Sequence, residues 1–343
     1  MNKKGFIFTF ISVILVSVIM LAFLIQYTSR TQAEIEMTNT EVETINSFVK
    51  SLNNDYLPRA LRVSGNQAIL ALLHCMDTNV VCDDRIEEIL NDKGGYLGND
   101  RQQLEAYIIN AIVDGEFSYD YERPENPPPD LELMEVDGVS YNLPLVLNEI
   151  KNLAETTGID LNFEEIIKNR DIQDITVDQT DPWNIHITIN IRYILSNKDE
   201  DIQWDYINQP KVIEALVPIF NFRDPIYLIA DPDDPDDGVE ISINESTYKF
   251  PSGVEDHVEN TLFLACDQAP DFLQRMQGST EPSGAYGIES MIDIKDSTQS
   301  AIDYQYIFRN DGENPSPENL IQIGQSSYYI DETHVECYPP DEE

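Results

Sequence analysis

Positive charge is what this sequence has least of: 21 Lys and Arg stand against 63 Asp and Glu in 343 residues, a formal net charge of −42. Such a field repels phosphate backbones and anionic head groups, so nucleic-acid binding is excluded as a function class. Histidine is scarce too, with only His74, His186, His257 and His334. None stands in a serine-centred elbow or an HExxH helix, and no glycine loop with a lysine grip for phosphate is present. Carboxylates are so abundant that no pair singles itself out as acid and base. The expectation is a noncatalytic protein, with an extracellular hydrolase kept as an alternative. No internal repeat is visible either.

What is present suffices for a core. Hydrophobic residues make up 41% and aromatics 9% of the chain, spread along its length, which argues against wholesale disorder. The length fits an anchor with one large or two smaller globular units. The acidity reads first as a solvated surface, and secondly as a means of holding cations.

Residues 6–25 carry no charge. A helix of that length, at about 1.5 Å per residue, spans a hydrocarbon core of roughly 30 Å, so a transmembrane helix is expected over 6–25. Lys3 and Lys4 precede it, whereas Glu34, Glu36, Glu41 and Glu43 follow soon after Arg30. That asymmetry predicts a single-pass protein with a cytoplasmic N-terminus and an extracytoplasmic C-terminal bulk. A cleaved secretory signal is the competing reading, disfavoured by the length of the apolar run and the absence of a small-x-small site after it.

The opening Lys3-Lys4-Gly5-Phe6 and the apolar helix behind it resemble the class III signals of type IV pilins and pilin-like proteins. The resemblance covers about the first 60 residues. It implies cleavage between Gly5 and Phe6 by a prepilin peptidase, retention of the apolar helix, and packing of that helix against other pilin-like subunits. Helical spacing puts Ile7, Ile11, Ile14 and Val18 on the contacting side. The family's glutamate at the fifth mature position is replaced here by Phe10, which weighs against a major filament subunit. The implied function is a membrane-anchored cell-surface protein, a minor pilin or pseudopilin-like component in assembly or adhesion. The alternative is a tethered ligand-binding receptor ectodomain.

Further along, Val42, Ile45, Phe48, Val49, Leu52 and Tyr56 recur at helical spacing, a stalk-like helix continuing the anchor. Pro58 is expected to kink or interrupt it, and the pattern resumes over 61–73. Residues 86–90 and 104–113 read as helices, residues 123–130 as a proline-rich connector, and 143–154 and 163–167 as helices again. Ile185, Ile187, Ile189, Ile191 and Tyr193 then alternate with polar residues, the mark of a strand with one buried face. Residues 175–177, 239–243 and 328–330 are weaker strands. The organisation expected is a leader 1–5, membrane helix 6–25, stalk 26–75, helical subdomain 76–122, connector 123–130 and extracytoplasmic domain 131–343, α+β in class.

Four cysteines, Cys75, Cys82, Cys266 and Cys337, form an even set that favours two disulfides. Cys75 with Cys82 would close a small loop and Cys266 with Cys337 would tie back the tail, but four cysteines allow three pairings. A metal site built from His74, Cys75, Cys82, His334 and Cys337 is the rival reading, without the paired short spacings of zinc modules. Asp231, Asp233, Asp234, Asp236 and Asp237, before Gly238, offer oxygen ligands to calcium, although an EF-hand register would place Pro235 at a ligand position. A solvated acidic turn is the alternative. No other cofactor is expected. Asn244-Glu245-Ser246 is an N-glycosylation acceptor triplet.

Overall fold

A computed structural model describes residues 3–76, 97, 101–114, 142–163, 175–198, 202–228, 242–243, 262–279, 281–293, 299–302, 320–323, 326–329 and 337. The architecture is α+β. Helix α1 (Lys3–Ser51) passes through one π-helical turn (Leu52–Tyr56) into α2 (Leu57–Met76), followed by α3 (Arg101–Asp114) and α4 (Leu143–Thr156). Strands β1 (Ile159–Asn162), β2 (Ile175–Asp181), β3 (Asn184–Ile191), β4 (Ile194–Asn197), β5 (Gln203–Asp205) and β6 (Lys211–Pro218) come next, then the short α5 (Pro225–Leu228). The remainder holds β7 (Leu264–Ala265), α6 (Phe272–Met276), β8 (Ile288–Glu289), β9 (Met291–Asp293), β10 (Gln299–Ile302), β11 (Leu320–Ile323) and β12 (Ser326–Tyr329).

The strands make antiparallel sheets of order β2-β3-β6 and β1-β4-β5 and an antiparallel pair β7-β8. A four-stranded sheet β11-β12-β10-β9 contains one parallel pair, β10 with β12.

Central strand β3 shows why the alternating stretch folds as it does. Ile185, Ile187, Ile189 and Ile191 are fully buried on one face, each worth about 1.5–3 kcal/mol of apolar transfer. Helix α2 covers that face at close range. A Cβ on Gly65 would overlap the Ile187 side chain and lie 3.1 Å from Val217 Cγ2, so the helix approaches the sheet at its one side-chain-free position there. Helices α3 and α4 pack against α2 and enclose Leu104, Ile108, Leu147 and Ala154. The start of α4 is fixed by Asn142, whose side chain accepts from Leu145 N at 3.0 Å, and by Pro144 in the first turn. Past its end, Gly158 at φ 84° turns the chain into β1, a left-handed conformation that glycine adopts without steric cost.

Pro58 interrupts the α-helical hydrogen bonding without ending the helix. It has no N–H to offer the carbonyl four residues back, and the chain widens by one residue, with Leu57 N–H bonding the Leu52 carbonyl.

The expected transmembrane helix over 6–25 is corrected: among the described residues no helix is long and apolar enough to cross a membrane. The fold assignment that began with a membrane helix and the single-pass placement with a cytoplasmic N-terminus and extracytoplasmic bulk fall with it. The predicted helix 86–90 and connector 123–130 lie outside the described residues. So do positions 164–167 of the predicted helix 163–167, while Phe163 follows β1.

Candidate functional site

Two features stand out, and one helix carries both. From Val18 to Tyr27, α1 exposes Val18, Ile19, Met20, Leu21, Phe23, Leu24, Ile25 and Tyr27 at 48% to 71% of their surface. At 100° per residue these positions surround the axis, so the segment is apolar all round. The pattern changes toward the helix end. Ile45, Val49 and Leu52 are buried, and Phe48 and Tyr56 pack beside them with ring centroids 6.2 Å apart. The head therefore holds the last turns of α1 and leaves the apolar segment uncovered by the described residues of its own chain.

The second feature is an open groove of about 960 Å³ between the first turns of α2 and strand β6. The π turn builds one wall. With its extra residue, Asn53 meets the core, where its Oδ1 accepts the Tyr193 hydroxyl at 2.6 Å, while Asn54, Asp55 and Tyr56 line the groove. Burial pushes the Tyr193 phenol well above its ordinary range, and the neighbouring Tyr206 adds to the rise. One and two turns on, Arg59, Arg62 and Asn66 continue the wall; the opposite side is Glu214, Leu216 and Pro218 of β6. Arg59 and Arg62 are exposed and enter no ion pair among the described residues. Arg101, by contrast, lies 3.1 Å from Glu105 Oε1, 3.6 Å from Asp178 Oδ1 and 3.1 Å from Asp271 Oδ1.

The residues singled out in the sequence fall elsewhere. Cys266 and Cys337 are joined in a disulfide with Cα atoms 5.4 Å apart, one of the pairings left open above. Cys75 is disulfide-bonded as well; Cys82 lies outside the described residues. Asp267 has a carboxylate oxygen within 4.8 Å of both Cys266 and Cys337 sulfurs, but sulfurs bonded to each other offer no thiolate to a metal. Asp231, Asp233, Asp234, Asp236, Asp237 and Asn244 lie outside the described residues. Gly5 and Phe6 are within α1. Of the proposed packing positions, Val18 is exposed, and the side chains of Ile7, Ile11 and Ile14 lie outside the described set. His186 sits on the outer face of β3, its Nε2 3.8 Å from Glu214 Oε2.

Sequence reasoning missed the groove. Its walls are about 150 positions apart, and the one local signal was Pro58 inside a helical pattern, which marks where the π turn forms. No family model, no curated protein and no solved structure matches this chain.

Proposed function

We propose that this protein is a noncatalytic assembly subunit whose α1 packs against equivalent helices of neighbouring subunits, on the plan of a minor pilin or pseudopilin. The observation that carries this reading is the apolar surface from Val18 to Tyr27, exposed on every side of a 49-residue helix whose far end is held by the head. A helix apolar all round is stable only when surrounded, and a bundle of like helices supplies neighbours on all sides. The opening Lys3-Lys4-Gly5-Phe6 supports the same plan, since removal of residues 1–5 would leave Phe6 at the start of the packing helix.

The test uses the full chain with a photo-crosslinking phenylalanine analogue at Phe23. Irradiation is expected to yield a ladder of covalently joined chains of defined stoichiometry, and Leu24→Asp to abolish it. A monomer by sedimentation, or a polydisperse aggregate without a ladder, would sink the proposal. Incubation with prepilin peptidase is expected to release residues 1–5; an intact N-terminus would remove the pilin-like part.

A further inference from the structure

We propose that the free edge of β6, with the groove beside it, receives an extended acidic segment of a second copy of this chain, added as a fourth strand to the β2-β3-β6 sheet. The idea rests on the assembly reading only for its choice of partner.

The edge is defined by hydrogen-bond phase. Ile219 N–H bonds the Trp183 carbonyl at 3.0 Å, and the β3–β6 register continues from Asn184 opposite Pro218 to Ile191 opposite Lys211 without a shift. Bonded pairs alternate along an antiparallel ladder. Ile213, Ala215 and Val217 therefore bond β3, and Val212, Glu214 and Leu216 turn their N–H and C=O groups outward. Among the described residues, β6 pairs with no second strand. An unpaired strand edge is a template for another chain unless it is blocked. Among the described residues only Pro218, at one end, blocks this edge.

Side chains on the two faces then specify the occupant. Residues of an added strand alternate between the sheet's faces. Those on the α2 side enter the groove and meet Arg59 and Arg62, one helical turn apart and lacking carboxylate partners among the described residues. Those on the outer side lie across from Val212 and Leu216, 60% and 50% exposed. Glu214 also lines the groove, and its carboxylate lies 3.8 Å from His186 Nε2. Asp55 restricts acidic side chains at its own end of the groove. The matching ligand carries carboxylates at alternate positions with apolar residues between them and no proline. This chain contains that alternation over Asp130-Leu131-Glu132-Leu133, and again, one position out of phase, over Glu135-Val136-Asp137. With 63 acidic residues in the chain, a second copy is an acid-rich partner for two arginines without carboxylate partners among the described residues.

A fluorescent octapeptide with the sequence of residues 130–137 is titrated against the full-length protein and followed by anisotropy. Saturable binding is expected, weakened at least about tenfold by Arg59→Gln with Arg62→Gln, and by peptide whose Asp and Glu are replaced with Asn and Gln. Leu216→Pro removes an outward N–H that β3 does not use, and is expected to weaken binding comparably with unchanged far-UV circular dichroism. If that variant unfolds, the exposed arginine pair still decides. No binding at about 1 mM peptide, the weak end of measurable affinity, or binding indifferent to the arginine pair, would overturn the proposal. A photo-crosslinker at Leu216 in the full chain is expected to join two copies, and products confined to one chain would overturn it as well. Crosslinking at Phe23 on the same preparations separates the two ideas: a ladder without groove binding sinks only this one, and groove binding without a ladder sinks only helix packing.

Discussion

Arg275 is a cation buried completely in the fold. Its side chain and that of Asp224 are both 0% exposed, with Nη1 2.6 Å from Asp224 Oδ2. Nε donates to the Ile288 carbonyl at 3.1 Å, Nη2 donates to the same oxygen, and the guanidinium lies 5.6 Å from the Phe263 ring centre. Asp224 Oδ1 in turn accepts Ile226 N–H at 3.0 Å at the start of α5. One guanidinium thus joins α6, the entry to α5 and strand β8. Arg275→Met fills much of the same volume but removes the cation 2.6 Å from a buried carboxylate, which costs about 3–5 kcal/mol. Against a usual total of about 5–15 kcal/mol, that is about a fifth of the stability or more. Urea titration followed by circular dichroism is expected to show the midpoint fall accordingly. The double variant Arg275→Met with Asp224→Asn is expected to recover part of the loss, because it removes the orphaned charge. A single variant within about 1 kcal/mol of the parent, or a double variant no more stable than the single, would refute this account of the pair.

Gly287→Ala places a Cβ against the backbone carbonyls of Cys266 and Ala269, groups that cannot swing aside, so a loss of more than about 2 kcal/mol in chemical denaturation is expected. Tyr193 remains protonated in the folded protein above its ordinary range, so its contribution is fully present below about pH 10 and is lost as pH rises beyond. Absorbance titration is expected to show one of the 17 tyrosines ionising only as the fold is lost, and Tyr193→Phe to cost about 1–2 kcal/mol by leaving Asn53 without its donor. Replacing Cys266 and Cys337 by serine opens a loop of sequence separation 71 and is expected to lower stability by about 4 kcal/mol, read from the denaturation midpoint under non-reducing conditions.

How much of this could be read in advance follows from whether a segment's pattern arises from one neighbour or from several. The isoleucines of β3 face one helix on one side and solvent on the other, and their two-residue period is plain. The helical spacings over 61–73, 104–113 and 143–154 each lie inside α2, α3 or α4. Strand β6 escaped because Val212 and Leu216, on its outer face, are as apolar as the buried Ile213, Ala215 and Val217, which erases the alternation. The same two residues that hid the strand are the ones we assign to a partner's strand. Strand β1 was hidden by brevity, four residues after the Gly158 turn. Residues 6–25 carry the opposite lesson. Their uncharged composition was assigned to lipid, yet composition states only that water is a poor solvent for such a helix, and among the described residues no membrane span forms. A surface that avoids water is satisfied equally by other protein. That is why the exposed ring of side chains from Val18 to Tyr27 directs attention to neighbouring subunits, and why an aspartate at Leu24 is the substitution that most sharply separates an assembling chain from a solitary one.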